Sequence, residues 1–233
     1  MRTFRRAVGL VAALTVLLSM LTVFSASADA RSTRLIAPRA EPITHRLDGL
    51  SGGQLLGAEW NIVYSMPITE NPFFGTGDLC STEGRTGRVL IAHAGGDCTV
   101  RRGTSLFIFG YSTTCDDVID PTVDPSLFGK TAVAQRRCAI TADRNTEIDA
   151  INVRIDEGPT IDIYASCYAV VSPQVRTYLP QDNVYGISAR PVSFVAHGWV
   201  AAVTGLRAGH HLIRTEVVQP DGIRSRTAHV TVQ

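Results

Sequence analysis

The chain has 233 residues, of which 22 are basic and 21 acidic, so its formal net charge at neutral pH is +1. A length of this order fits one large β domain or two small ones. Such an even balance lacks the excess of basic residues typical of proteins that bind nucleic acids or anionic membranes, and we expect neither partner.

The first 30 residues are typical of a bacterial secretory signal peptide. Three arginines precede an uncharged apolar run from Ala7 to Phe24, and two small-residue cleavage patterns, Ala26-Ser27-Ala28 and Ala28-Asp29-Ala30, follow it. The alternative is an uncleaved anchor helix, because the run approaches the length of about 20 residues that spans a bilayer. We favour cleavage, and expect a mature chain without a membrane span that is secreted to the medium or the cell envelope.

The next segment, residues 31–57, is predicted to be a flexible N-terminal lead-in. Two prolines and the Ser51-Gly52-Gly53 stretch interrupt every regular period. From Ala58 to Tyr64, apolar and polar residues alternate, which predicts a strand with Trp60 on its core-facing side. We therefore expect one folded domain over residues 58–233.

Most of the remaining chain carries the patterns of short strands. Apolar runs near glycines, or alternating apolar and polar residues, predict strands at 89–92, 106–109, 151–155, 161–171 and 197–206. Residues 130–142 contain alanine, glutamine and arginine with few helix breakers, and are the one helix candidate.

The clearest prediction is a hairpin near the end of the chain. Alternating runs at 212–218 and 224–232 flank Pro220-Asp221-Gly222, in which proline presets the first turn residue and glycine accepts a positive φ. Ala228, Val230 and Val232 are predicted to face the core. About nine short strands and one short helix predict an all-β protein, an antiparallel β-sandwich of jelly-roll or Greek-key type.

All five cysteines follow the predicted signal peptide, and an exported chain meets an oxidising environment in which disulfides form. Two bridges among five cysteines allow 15 arrangements, which the sequence leaves open. We favour Cys80–Cys98 and Cys115–Cys138, because each closes a loop of about 20 residues, worth roughly 3 kcal/mol in the chain-entropy model. The fifth, Cys167, falls on the apolar side of the predicted 161–171 strand, where a thiol packs as a small hydrophobic group. A catalytic thiol is the alternative for Cys167, and burial disfavours it.

Several short motifs resemble those of a family of exported bacterial β proteins. The shared pattern comprises Trp60, Asn71-Pro72, Thr76-Gly77, Cys80, Gly87-x-Val89, Cys98-Thr99-Val100, Gly103, Leu106-Phe107 and Gly209-x-His211. The resemblance spans residues 58–233 and implies a β fold with a Cys80–Cys98 disulfide, but no activity. Residues 85–92 depart from the pattern: relatives tend to have Gln-x-Gly-Pro-Val-Trp-Phe-Leu there, so this chain lacks one aromatic side chain.

An acidic segment between the third and fourth cysteines is a candidate ion or ligand loop. It contains Asp116, Asp117, Asp120 and Asp124, and calcium prefers several oxygen ligands from one flexible loop. The spacing matches no EF-hand and prolines interrupt it, so a solvated loop is the favoured interpretation. For other metals we expect no site: adjacent His210 and His211 would point to opposite faces of a strand, and the sequence places no third ligand near His93 or His197.

Glu59 and Trp60 are a second candidate, since a carboxylate beside an indole ring occurs on sugar-binding faces. Retaining glycosidases pair two carboxylates about 5 Å apart, and Asp156 or Glu157 would be the second one. The chain has no serine-hydrolase elbow, zinc-protease motif or phosphate loop. We therefore expect a non-enzymatic binding or surface-associated module for an extracellular or envelope ligand. The alternative is a small extracellular hydrolase acting on polysaccharide or peptidoglycan.

Overall fold

The computed structural model describes residues 38–71, 73, 80–92, 96–119, 122 and 124–233. The predicted signal peptide lies outside these residues, as do His93 and Asp120. Within the described part of the chain, no helix is both long enough and apolar enough to cross a bilayer.

Two α-helices and twelve strands are formed by the described residues. The helices are α1 (Gly52–Ser65) and α2 (Ala132–Asn145), and short 3₁₀ turns cover Ile68–Glu70, Pro125–Leu127 and Ser166–Tyr168. The strands are β1 (Ala40–Glu41), β2 (Cys80–Glu83), β3 (Val89–Ala92), β4 (Asp97–Val100), β5 (Ser105–Asp116), β6 (Ala150–Ile155), β7 (Ile161–Asp162), β8 (Ala169–Val171), β9 (Val175–Leu179), β10 (Arg190–Val203), β11 (Gly209–Gln219) and β12 (Gly222–Val232).

Helix α1 replaces the predicted strand at 58–64, and that prediction is wrong. A capping box starts the helix: the Gln54 amide donates to the Ser51 hydroxyl, and the Ser51 amide donates to Gln54 Oε1. Leu55, Glu59 and Val63 are fully buried at helical spacing. Seven alternating residues are too short a run to distinguish a strand from a helix, and the cap settles the choice.

The start of α1 also corrects the expected flexible lead-in. Residues 52–57 form its first turns, and the glycines there permit close packing against β8. A Cβ atom on Gly53 would lie 2.2 Å from the Val171 carbonyl oxygen, so only glycine fits. The Gly52-Gly53 pair, which predicts an interruption of regular structure, is therefore the place where α1 packs against β8.

The strands form two sheets. In the described residues the seven-stranded sheet has the order β1-β10-β5-β3-β2, with β8 and β9 also paired to β10, and the five-stranded sheet has the order β4-β12-β11-β6-β7. The β-rich class is confirmed, but the sheets are mixed, because β3 pairs with β5 and β4 pairs with β12 in parallel. The β3–β5 pair is parallel because the chain passes through β4, in the other sheet, between these two strands. A purely antiparallel jelly-roll is therefore not what the chain forms.

The main core lies between the sheets and a second core lies under α1. Val153, Ile213 and Val230 of the small sheet pack with Leu106 and other residues of the large sheet. On the opposite face of the large sheet, α1 buries its leucines against β3, β5 and β10. Helix α2, predicted at 130–142, covers the end of β5 and β10. The two cores explain why β10 is buried on both faces over most of its length.

The predicted 161–171 strand is wrong over most of its length. Only Ile161 and Asp162 pair with β6, and Asp162 Oδ1 then accepts hydrogen bonds from the Ile151 and Tyr164 amides. This side-chain turn ends the strand. A 3₁₀ turn follows, and Cys167 in it is exposed rather than buried.

The final hairpin matches its prediction closely. Strands β11 and β12 pair from Gly209–Val232 to Gln219–Gly222, with Pro220 and Asp221 in the turn and Gly222 at a φ of 139°. Ala228, Val230 and Val232 are buried as predicted. The structure also has disulfides at Cys80–Cys98 and Cys115–Cys138, the two pairs favoured from the sequence.

Candidate functional site

A cleft lies between the two sheets near the turn of the β11–β12 hairpin. Its volume is about 190 Å³, enough to hold several water molecules. We call it the aromatic cleft and define it by its lining residues: Trp60, Phe73, Phe109, Gly110, Tyr111, Ser112, Thr215, Val217, Gln219, Arg224 and Arg226.

The alternating pattern of β12 forms one wall of the cleft. The residues that point inward are Val232, Val230 and Ala228 in the core, followed by Arg226 and Arg224 in the same register. The inner face of this strand thus changes from apolar to basic as it approaches the hairpin turn. The sheets do not close completely there, because arginine side chains replace the aliphatic ones that fill the core.

Strand β5 and α1 form the opposite wall. Gly110 is an extra residue in β5, since Trp199 pairs with Tyr111 and Val200 pairs with Phe109. Such a β-bulge turns the following side chains relative to the sheet. A Cβ atom on Gly110 would lie 2.7 Å from Ile151 Cγ2 and 3.0 Å from the Trp199 carbonyl oxygen, so the bulge depends on glycine.

Three aromatic rings form a compact group in this wall. Trp60 and Phe73 stack with centroids 5.5 Å apart and planes inclined by 11°, and Phe109 meets both rings edge-on. The indole Nε1 of Trp60 donates a hydrogen bond of 2.6 Å to the Ser112 hydroxyl. This bond ties the half-buried indole to β5, so the ring is held in place before any ligand enters.

Arg226 lies over the aromatic group. Its guanidinium carbon is 4.9 Å from the centroid of Phe73 and 5.9 Å from that of Phe109, within the range of a cation–π interaction. Burial lowers the pKa of Arg226, and attraction to Glu59 acts in the opposite direction. The side chain stays charged, because arginine does not lose its proton in proteins. Glu59 is fully buried on α1 and supplies the compensating charge.

Arg224 is the more exposed arginine of the cleft. Its Nη2 donates a hydrogen bond of 2.8 Å to Asp221 Oδ2, and its Nη1 donates to Gln219 Oε1. The side chains of Arg224 and Asp221 are 61% and 68% exposed, so solvent screens their attraction and the pair contributes little to stability.

The predicted acidic loop is placed differently from our expectation. Asp116 is fully buried rather than solvated. Its Oδ1 accepts hydrogen bonds from the Val118 and Ile119 amides, and its Oδ2 accepts them from the hydroxyls of Tyr64 and Tyr185. Burial raises the pKa of both tyrosines, and the nearby Asp116 charge adds to the shift. Asp116 therefore anchors the end of β5 to α1 and to the segment before β10.

The other aspartates of the loop also bind protein groups. Asp117 accepts hydrogen bonds from the amide and the hydroxyl of Ser193, and Asp124 accepts them from the amide and the hydroxyl of Ser126. Asp120 lies outside the described residues. Among the residues that are described, no group of three or more histidines, cysteines or carboxylates is placed to hold a metal ion.

The histidines occupy separate environments. His210 and His211 point to opposite faces of β11, and His210 bonds to Thr231. The ring of His211 bonds through Nδ1 to Asp156 and through Nε2 to the Arg207 carbonyl oxygen. Burial lowers the pKa of His211, but these hydrogen bonds and the Asp156 charge outweigh burial, and the net pKa is raised.

One buried pair was missed by sequence reasoning. His197 Nδ1 on β10 lies 2.5 Å from Oδ2 of Asp143 on α2, and burial raises the pKa of Asp143. A signal for it exists in the sequence: Gln135, Ala139 and Asp143 recur every four residues and are all fully buried. Glu59, Asp116 and His197 thus have three different sets of partners.

Comparisons with known proteins add little. No protein-family model matches the chain, and no curated protein matches it either. The solution structure of amebosin aligns with 62% of this chain and 96% of its own length at 15% identity, with a TM-score of 0.22. Likeness at that level carries no argument about fold or function.

Proposed function

We propose that this protein is a non-enzymatic saccharide-binding domain and that the aromatic cleft is its binding site. The observation that carries the proposal is the group formed by Trp60, Phe73 and Phe109 in a cleft open to solvent. The C–H face of a sugar ring packs on aromatic rings, because both surfaces are apolar and flat. Ligand sites combine such apolar walls with a few polar groups that fix orientation.

The polar groups of the cleft suit the hydroxyls of a sugar. Ser112 lies beside the indole, while Thr215 and Gln219 line the opposite wall. Hydroxyl and amide side chains both donate and accept hydrogen bonds, as sugar hydroxyls do. The cleft has a volume of about 190 Å³ and is open to solvent, so it can hold part of a saccharide while further sugar units lie outside on the hairpin.

The hydrolase alternative receives less support from the geometry. Glycoside hydrolysis needs two carboxylates facing the substrate. None of the lining residues that the structure describes carries a carboxylate, and Glu59 is buried beneath the cleft next to Arg226. Asp156, the proposed second carboxylate, instead binds His211 and the Leu212 amide.

We also propose that the protein is exported and that it belongs to the family of exported bacterial β proteins. The leader pattern of residues 1–30 and the two disulfides support secretion to the medium or the cell envelope. The motif pattern from Trp60 to His211 supports membership in the family of exported bacterial β proteins described above. Mass measurement of protein recovered from culture fluid tests export: the expected mature chain starts after residue 28 or 30 and carries two disulfides.

Binding is tested by titrating the mature protein with a panel of neutral and acidic oligosaccharides and peptidoglycan fragments in a calorimeter. At least one saccharide is expected to bind, and Phe73→Ala is expected to weaken binding by about tenfold or more. Tyr178→Ala is the matched control, because Tyr178 is an exposed aromatic residue on β9 that does not line the cleft. The proposal fails if no saccharide binds, or if both variants bind like the unmodified protein.

A further inference from the structure

We infer that the saccharide bound in the aromatic cleft carries a carboxylate, as a uronic acid does, and that Arg224 receives it. This inference rests on the proposed function, since it specifies the ligand of the same site. It starts from charge: among the described lining residues, Arg224 and Arg226 are the charged ones, and both are positive.

The two arginines have different roles. Arg226 lies over Phe73 and Phe109, and the buried Glu59 on α1 attracts it. Its charge is thus balanced from within the protein. Arg224 has its counter-charge on the surface, in Asp221 of the hairpin turn. An exposed ion pair is weak, so a ligand can replace Asp221 at little cost.

The contact with Asp221 shows that Arg224 binds a carboxylate. A side-chain carboxylate already lies 2.8 Å from Arg224 Nη2, at the rim of the cleft. A guanidinium has five N–H donors, and the hydrogen bonds to Asp221 and Gln219 use two of them. A ligand carboxylate can therefore take the place of Asp221 or bind beside it, and arginine binds carboxylates through two parallel hydrogen bonds.

The positions of the two walls suit a ligand in which a sugar ring and a carboxylate are close together. Arg224 and the aromatic group line the same cleft, one on each wall. A ring packed on the aromatic wall thus has the opposite, basic wall within reach of its substituents. A uronic acid combines both features in one sugar unit, because its carboxylate is attached directly to the ring.

The test compares each of three uronate oligosaccharides (glucuronate, galacturonate and mannuronate) with its own methyl ester. The ester keeps the ring and removes the charge. The acid is expected to bind about fivefold more tightly, as expected for one ion pair close to solvent. Arg224→Gln is expected to abolish this preference, so that the variant binds acid and ester with equal affinity.

Two further variants sharpen the result. Asp221→Asn removes the internal competitor, and asparagine suits the same turn, so binding of the acid should become tighter. Arg214→Gln is the matched control, because Arg214 is a half-exposed, ion-paired arginine of the same hairpin that does not line the cleft. It should keep the preference of the unmodified protein.

The outcomes separate the two claims. Equal binding of acid and ester overturns the inference and leaves the saccharide-binding proposal standing. A preference for the acid that persists in Arg224→Gln overturns the assignment to Arg224. If neither form of any uronate binds, the inference fails, and binding of a neutral saccharide in the wider panel then decides the proposed function separately.

Discussion

Replacing Asp116 by alanine should be among the most destabilising single substitutions in this chain. Its carboxylate accepts four hydrogen bonds: from the Val118 amide at 2.9 Å, the Ile119 amide at 2.8 Å, the Tyr64 hydroxyl at 3.2 Å and the Tyr185 hydroxyl at 2.5 Å. Alanine accepts none of them. The Val118 and Ile119 amides then lose their acceptor, and the Tyr64 and Tyr185 hydroxyls keep only their bonds to Thr114 and to each other.

The size of the effect follows from these donors. A buried donor that loses its partner costs about 1–3 kcal/mol, and water entering the space left by the carboxylate offsets part of the sum. We expect a loss of about 3–5 kcal/mol in the free energy of unfolding, the range in which broken buried networks fall. For a domain of this size that corresponds to a decrease in Tm of about 10 °C.

Asp124→Ala is the control, because both aspartates belong to the acidic segment that we considered as a calcium loop. Asp124 is partly exposed and caps a single 3₁₀ turn through Ser126, so its loss should cost about 1 kcal/mol or less. Thermal unfolding followed by circular dichroism, with calcium chloride and with a chelator, measures both variants. Similar Tm values for the two variants would refute the reasoning. A rise in Tm with calcium that the unmodified protein shows and Asp116→Ala lacks would do the same, since Asp116 would then act as a ligand.

Three further predictions concern stability. Gly198→Ala should prevent folding, because a Cβ atom there would lie 2.2 Å from Ser112 Cβ. The control Gly205→Ala places its Cβ atom in open space and should cost only the strain of a positive φ. Soluble yield and Tm of the two variants test this prediction. The raised pKa of His211 means that its protonated form is favoured in the folded state, so its contribution is full below about pH 6.5 and is lost as the pH rises through the folded-state pKa. Urea unfolding of His211→Gln from pH 5 to 9 should therefore show the largest loss of stability at low pH, and a loss that grows with pH would contradict it. Replacing Cys80 and Cys98 together by serine should lower the free energy of unfolding by about 3 kcal/mol, measured by urea unfolding, and an unchanged value would show that this cross-link does not restrict the unfolded chain.

The features that were predictable from sequence depend on contacts between near neighbours. The β11–β12 hairpin follows from its turn residues and from alternation in both strands, and β3 follows from its apolar run between glycines. These signals act within about a dozen residues, where periodicity and turn chemistry decide the structure.

The features that were missed depend on residues far apart in the chain. Helix α1 needs Val171 to lie against Gly53, more than 100 residues away, before its glycines become an advantage. The aromatic cleft joins Trp60, Phe109 and Arg226 from three separate elements, and no local pattern links them. The sequence alone predicts Asp143 to be a surface residue of a polar helix, and only the fold brings His197 into contact with it. Tertiary contacts of this kind override local propensity.

The crossing of β4 into the small sheet places one disulfide between the two layers that form the proposed binding cleft. Cys80 belongs to β2 at the edge of one sheet and Cys98 to β4 at the edge of the other, so a covalent bond fixes the spacing of the two layers. Cys98 pairs with Val230 on the strand that also carries Arg226. The disulfide therefore restricts the separation of the two layers, which reduces the conformational freedom that binding in the cleft would cost.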